Sequence, residues 1–191
     1  MKVVAINGSA RAGGNTRILI DRVCAEFGKE GIDTEVIELA GKTIRGCRAC
    51  HKCSSRKDEC CSMGDDDLNE ILPHIYSADG LILGSPTYFA DISPEMKALI
   101  DRSGMVNRSN GHLLKRKPGA AVVAVRRAGA MHAFDSINHY FTINQMIIVG
   151  STYWNIGIGR DKGDVEADEE GLQTMADLGR NMAWLLKKLA N

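Results

Sequence analysis

Residues 2–16 read KVVAINGSARAGGNT: an apolar run of strand length, followed by a loop of small and hydroxylated residues. A helical pattern follows at 16–29, where apolar residues such as Leu19 and Val23 recur on one face. A buried strand that ends in such a loop and opens a helix directs free backbone N–H groups and the positive end of the helix dipole to one point. The stretch therefore predicts the first βα unit of an α/β domain, with an anion-binding loop at its bend.

The polar side chains of this loop favour a phosphate ligand. Ser9, Asn15 and Thr16 supply short hydrogen-bond donors, and Arg11 supplies a planar cation. The alternative is an ordinary strand-to-helix turn, capped by Asn15 and Thr16, that binds no ligand. The loop matches neither G-x-G-x-x-G nor G-x-x-x-x-G-K-[ST], which disfavours the common dinucleotide and P-loop sites. We expect a small phosphorylated cofactor.

Composition restricts the class of protein. The 191 residues suit one α/β domain spanning 1–191, and 24 basic residues balance 24 acidic ones. This balance gives no sign of a nucleic-acid or membrane-surface partner, and no apolar run reaches the about 20 residues of a membrane span. No signal-peptide pattern precedes the first strand, so we expect a cytoplasmic protein. Six cysteines in that reducing compartment indicate metal or redox chemistry.

Strand-like and helix-like patterns alternate along the chain. The predicted strands are 2–7, 34–39, 80–84, 120–126 and 146–149, and the clearest helices are 16–29, one starting at Ser93-Pro94-Glu95, and 168–189. Such alternation predicts a doubly wound parallel sheet whose ligands bind beyond the carboxyl ends of the strands. A cysteine-rich insertion at about 40–65 and a glycine-rich segment at 150–165 interrupt the pattern, and loops of this length are usually functional or disordered.

Two more strand ends carry segments that suit a ligand. The third strand is followed by Pro86, Thr87, Tyr88 and Phe89, a rigid turn with two aromatic rings that suits a flat ring system. The fourth strand ends in the segment 126–130, which contains two arginines and three small residues. A buried aromatic pair and a solvated loop are the respective alternatives.

Together the first loop and the turn after the third strand resemble those of the flavodoxin-like NAD(P)H-dependent FMN reductases, and the whole chain is similar to their iron–sulfur flavoprotein branch. The resemblance implies a five-stranded parallel sheet of order 2-1-3-4-5 that binds FMN. True flavodoxins are strongly acidic and lack an arginine in the phosphate loop, so Arg11 and the balanced charge disfavour that class. The implied FMN-binding residues are Ser9, Arg11, Asn15 and Thr16 at the phosphate, Pro86, Thr87, Tyr88 and Phe89 along the ring, and Arg127, Ala128 and Gly129 on the third side.

The insertion contains the motif Cys47-x2-Cys50-x2-Cys53-x6-Cys60, with Cys61 as a rival fourth member. Thiols at this spacing can face one side of a tight loop and hold a [4Fe–4S] cluster, and the motif resembles that of the iron–sulfur flavoproteins. Basic residues that surround the motif would stabilise an anionic cluster. Zinc, a redox-active disulfide and a loop without any metal are the alternatives.

These patterns lead us to expect an FMN-dependent oxidoreductase. Electrons would pass from a reduced nicotinamide or a protein donor to a small-molecule or redox-protein acceptor, by way of the cluster where one is bound. Hydride transfer to flavin needs no acid or base, so no catalytic side chain is assigned; His132 and Tyr153 are expected to pack or cap. A homodimer or homotetramer would cover the flavin edge. A non-enzymatic flavin electron carrier and a cluster-free NAD(P)H:quinone or FMN reductase are the alternatives.

Overall fold

The computed structural model describes residues 1–190, and its centre is strand β1, Lys2–Asn7. Strand β2, Asp33–Glu38, pairs with β1 on one side and strand β3, Gly80–Pro86, pairs with it on the other. Strand β4, Pro118–Val125, lies beyond β3 and carries strand β5, Ile147–Ile148, at its outer edge. All pairs are parallel, and the order β2-β1-β3-β4-β5 confirms the predicted α/β fold.

The fifth position of the sheet is divided between two short strands. Strand β5 pairs with the start of β4, and strand β6, Ile156–Ile158, pairs with its end. Between them the chain leaves the edge after Val149, which still donates to Gly119, and returns at Asn155, which accepts from Val123. The single strand predicted at 146–149 therefore covers only the first half of this edge. The second half brings the glycine-rich segment to the carboxyl end of the sheet.

Helices cover both faces of the sheet. They are α1 (Asn15–Lys29), α2 (Lys52–Arg56), α3 (Leu68–Ser77), α4 (Pro94–Ser109), α5 (Ala130–Ile143) and α6 (Glu169–Ala190), with a 3₁₀ turn at Asp164–Ala167. The start of α4 matches its sequence signal, because the Ser93 hydroxyl accepts from the backbone N–H of Met96 and Pro94 is the first helical residue. Within 40–65, α2 is the only regular element that the structure describes.

The apolar run of β1 is buried on both sides because alternate residues of a strand face opposite sides of the sheet. Val3 and Ala5 lie in a core formed with α1 and α6. Val4 and Ile6 lie in a second core formed with α3, α4 and α5. The two cores hold the carboxyl ends of β1, β3 and β4 side by side. None of the helices within residues 1–190 is long and apolar enough to cross a membrane.

Candidate functional site

A cavity of about 290 Å³ opens at the carboxyl ends of β1, β3 and β4, and we call it the strand-end cavity. Residues of the loop 9–16 form one wall, the turn 86–88 forms a second, and Ala124 and Arg126 close the base. The remaining wall follows β6 and consists of Gly159, Arg160 and Lys162. The cavity lies where parallel α/β sheets bind their ligands.

The charge of the strand-end cavity suits an anion. Its lining contains Arg11, Arg126, Arg160 and Lys162 and no carboxylate side chain. The backbone N–H groups of residues 15–17, the first turn of α1, donate to no acceptor within residues 1–190. Free N–H groups and the helix dipole at that end are the usual elements of a phosphate site. The site therefore fits a dianionic phosphate.

Thr16 and Ser9, both predicted to bind the phosphate, have different local roles. The Thr16 side chain lines the strand-end cavity, although the residue is only 1% exposed, and its hydroxyl has no partner in the described part of the chain. The Ser9 hydroxyl accepts from the backbone N–H of Arg11 at 3.1 Å, while the backbone N–H of Ser9 donates to Asn7. Thr16 thus offers a free donor to a ligand, whereas Ser9 shapes the loop.

Asn15 joins the first loop to the segment that follows β6 by hydrogen bonds. Its Nδ2 donates to the carbonyl oxygen of Asp161 at 2.9 Å, and its Oδ1 accepts from the backbone N–H of Gly163 at 2.9 Å. Arg11 Nη1 lies 3.4 Å from the carbonyl oxygen of Arg160. The side-chain amide of Asn15 is therefore occupied by the protein itself, and it positions the wall that carries Arg160 and Lys162.

The turn after β3 presents only part of its predicted ring site to the cavity. Thr87 donates to the carbonyl oxygen of Ala124 through both its N–H and its hydroxyl, which fixes the turn against β4. Tyr88 lines the cavity and is partly exposed. Phe89 has a positive φ of 48°, is fully exposed and does not line the cavity. Pro86, Thr87 and Tyr88 are thus brought together with the phosphate loop, and Phe89 is not.

In the segment after β4, the residue that lines the cavity directly precedes the three predicted ones. Arg126 lines the strand-end cavity, whereas 127–129 do not. Gly129 packs against the turn instead, since a Cβ there would lie 2.9 Å from that of Ala90. His132 and Tyr153 also lie outside the lining. Arg126 belongs to the strand-end segment that the sequence marks as suited to a ligand, although it is not among the residues that the family resemblance implies. Arg160 and Lys162 were not predicted, although these two cations within the glycine-rich segment after β6 were a usable signal.

The cysteine-rich segment encloses a second, small cavity of about 30 Å³, which we call the thiol hollow. Cys47, Cys50, Cys53 and Cys61 line it, and Cys60 does not. Every cysteine in the structure is a free thiol. Within residues 1–190 no three side chains of the types that bind metals stand close enough to hold one ion. The hollow therefore has the donor chemistry of a tetrathiolate site without a closed ligand shell.

Three of these thiols accept or share hydrogen bonds. Cys50 Sγ lies 3.2 Å from the Ser62 hydroxyl, and this contact, together with the backbone N–H of Lys52, lowers the pKa of the thiol. Ser109 Oγ donates to Cys53 Sγ at 3.7 Å. Arg102 Nε donates to Cys61 Sγ at 3.3 Å. The lowered pKa of Cys50 favours its thiolate, which is the form that binds metals.

The backbone of the segment is also unusual. Ala49, His51, Lys57 and Glu59 all have positive φ values between 48° and 59°. Left-handed conformations are unfavourable for residues with a side chain, and they concentrate at functional sites.

Comparisons of the sequence and of the fold with known proteins agree with one another. A family model described as NADPH-dependent FMN reductase matches residues 1–161. An iron–sulfur flavoprotein of Methanocaldococcus jannaschii is 39% identical, with 98% of each chain covered. An iron–sulfur flavoprotein of Methanosarcina thermophila is 32% identical over 98% of this chain and 96% of the relative. The crystal structure of RosB with bound 8-demethyl-8-formylriboflavin-5′-phosphate has a similar fold, with a TM-score of 0.81 and 17% identity over 100% of this chain and 80% of that one.

Proposed function

Because the chain belongs to the NADPH-dependent FMN reductase family, in its iron–sulfur flavoprotein branch, we propose that the strand-end cavity is its FMN site. The protein is an FMN-dependent oxidoreductase. In this proposal the phosphate of FMN lies against the loop 9–16 and the isoalloxazine ring lies along the turn 86–88. The family membership supplies the cofactor, and the geometry of the cavity supplies the assignment of its parts.

One observation carries the proposal: cations and unpaired N–H groups converge at one end of the cavity. Arg11, Arg160 and Lys162 lie in the lining near the first turn of α1, where three backbone N–H groups lack acceptors within the described residues. A phosphate dianion satisfies these donors and neutralises the repulsion among the cations. Thr16 adds a nearly buried hydroxyl. Asn15 supports the phosphate site indirectly, because its side-chain amide holds the segment 159–163 in place.

The opposite end of the cavity suits the ring. Pro86 and Thr87 form a rigid turn that is fixed to β4, and Tyr88 supplies an aromatic side chain beside it. Arg126 lines the same cavity and can donate to the polar edge of a flavin. Phe89, Arg127, Ala128 and Gly129 remain predicted contacts of the ring, and they lie just outside the lining.

FMN, when bound, accepts a hydride and releases electrons one or two at a time. The chain's own residues bind and orient it, and none of them is required to move a proton. We propose a reduced nicotinamide or a redox protein as the donor and a small molecule or redox protein as the acceptor. Association into a homodimer or homotetramer would cover the open cavity, and the fully exposed Phe89 beside it supports such a contact.

We further propose that the thiol hollow holds a [4Fe–4S] cluster through Cys47, Cys50, Cys53 and Cys61. The support is the set of four free thiols that line one hollow, the donors aimed at three of them, and the left-handed backbone of the segment. Ligation requires the four thiols to draw together within this loop. Cys60 fits the sequence spacing, but Cys61 lines the hollow, so we propose Cys61 as the fourth ligand.

Anaerobic purification tests both groups at once. The proposal expects flavin bands in the visible spectrum, one FMN per chain after extraction, and iron and acid-labile sulfide in about equal amounts. Steady-state oxidation of NADH or NADPH with a quinone acceptor then separates an enzyme from an electron carrier. Protein that contains flavin but no iron would contradict the proposed cluster. Protein that fails to bind added FMN would contradict the proposed flavin site.

A further inference from the structure

Arg102 is a fully buried cation beneath the cysteine-rich segment. It belongs to α4, and both its side chain and that of its partner Asp66 are 0% exposed. Charged side chains are rarely buried to this degree. Arginine is not deprotonated in proteins, so the buried guanidinium is a permanent charge, and Asp66 is its ion-pair partner.

All five N–H donors of Arg102 have acceptors, and the acceptors tie one segment together. Nη1 donates to Asp66 Oδ2 and, at 3.1 Å, to the carbonyl oxygen of Arg45. Nη2 donates at 3.1 Å to Asp66 Oδ1 and to the carbonyl oxygen of Met63. Nε donates to Cys61 Sγ at 3.3 Å. Four donors hold the two ends of the cysteine-rich segment, and the fifth is directed at a thiol of the hollow.

Burying the Arg102–Asp66 ion pair costs desolvation free energy, so stability alone is a weak reason for it. A buried ion pair can be replaced by apolar side chains of similar volume with little loss or even a gain in stability. The planar guanidinium, in contrast, fixes the direction of each N–H, so that locking four of them also fixes the fifth. The structure thus holds a permanent charged donor at a defined distance from one sulfur.

On the basis of the proposed cluster, we propose that Arg102 is a positioning residue that orients Cys61 and raises the reduction potential of the group bound in the thiol hollow. Hydrogen bonds to ligand sulfurs stabilise the more negative, reduced state, because they withdraw charge from sulfur. The fixed positive charge acts in the same direction.

Two variants separate this role from simple support of the fold. Arg102→Gln alone would leave Asp66 as an unpaired buried charge, which is strongly destabilising. The double variant R102Q/D66N removes both charges together. Arg102→Lys keeps the charge and a partner for Asp66, but it lacks the fork that reaches Cys61. Arg45→Gln is the matched control, because its exposed side chain pairs with Asp65 in the same segment and contacts no thiol.

The measurement is the midpoint potential of anaerobically reconstituted protein, followed by EPR, together with iron content. The double variant should lower the potential and favour the oxidised form about tenfold, which is about 59 mV for a one-electron couple. Arg102→Lys should lower it less, and Arg45→Gln should leave it unchanged.

The outcomes distinguish the two proposals. Wild-type potentials in Arg102→Lys and in the double variant, with iron retained, would overturn the role of Arg102 while the cluster stands. A shift of equal size in Arg45→Gln would also overturn it, since net charge alone would then explain the effect. Wild-type protein that binds no iron after reconstitution would overturn the cluster itself, and the role of Arg102 with it.

Discussion

The side-chain amide of Asn15, at the start of α1, donates to the carbonyl oxygen of Asp161, which follows the last strand, across 2.9 Å. The partners lie 146 residues apart in the chain. The same amide accepts from Gly163, so one side chain joins the first loop to the wall that carries Arg160 and Lys162. The cation-lined end of the strand-end cavity therefore exists only in the folded chain.

Arg11→Gln should weaken FMN binding about 10- to 100-fold, because a charge-assisted hydrogen bond contributes about 1.5–3 kcal/mol. The dissociation constant is measured by quenching of flavin fluorescence on titration of apoprotein. Arg17→Gln is the matched control, since Arg17 pairs with Asp21 and Glu38 and does not line the cavity. Equal losses in the two variants would contradict the assignment of Arg11 to the phosphate.

Thr16→Val should reduce the affinity for FMN by up to about tenfold, the value of one neutral hydrogen bond of about 1 kcal/mol. Valine keeps the shape of the buried side chain but lacks the hydroxyl that has no protein partner. Thermal unfolding of the apoprotein should change little, because no internal hydrogen bond is lost. A large fall in apoprotein stability with unchanged FMN affinity would argue against a ligand role.

Gly159→Ala should displace the wall that follows β6. A Cβ at this position would lie 2.7 Å from the backbone nitrogen of Val165 and 2.8 Å from Asn15 Nδ2. Overpacking of this kind costs about 1–3 kcal/mol, and we expect both a lower unfolding midpoint in urea and weaker FMN binding. Gly150→Ala is the control, since no atom lies within 4 Å of its added Cβ. An effect of similar size at Gly150 would show that this wall has no special role.

Cys61→Ser should abolish cluster binding, whereas Cys60→Ser should leave iron and sulfide content near the wild-type level. The reason is that Cys61 lines the thiol hollow and accepts from Arg102, while Cys60 does neither. Iron and acid-labile sulfide are determined after anaerobic reconstitution of each variant. The reverse pattern would assign the fourth position to Cys60, as the motif spacing predicted.

Local sequence patterns predicted the parts of the fold that depend on neighbouring residues. Strand β1 has the bounds that the sequence predicted. A strand that is buried on both faces has a continuous apolar sequence, which is visible without the structure. The divided fifth edge was not predictable in this way. Strand β6 is three residues long and contains Gly157, so its position depends on pairing with β4 rather than on its own composition.

The same limit applies to the site. The first loop was recognised because its donors are contiguous in sequence. The contribution of Arg160 and Lys162 depends on a contact with Asn15, and the choice between Cys60 and Cys61 depends on which thiol the buried Arg102 can reach. Long-range contacts of this kind leave no mark on the spacing of residues in a single sequence.

The most direct test of the account is to compare FMN with riboflavin, which lacks the phosphate, in titrations of the same apoprotein. The phosphate end of the strand-end cavity combines Arg11, Arg160, Lys162 and the free N–H groups of α1. We expect FMN to bind at least about 100-fold more tightly than riboflavin at low salt, and the difference to shrink as salt is added. Equal affinities for the two flavins would contradict the assignment of this cavity as a phosphate-anchored FMN site.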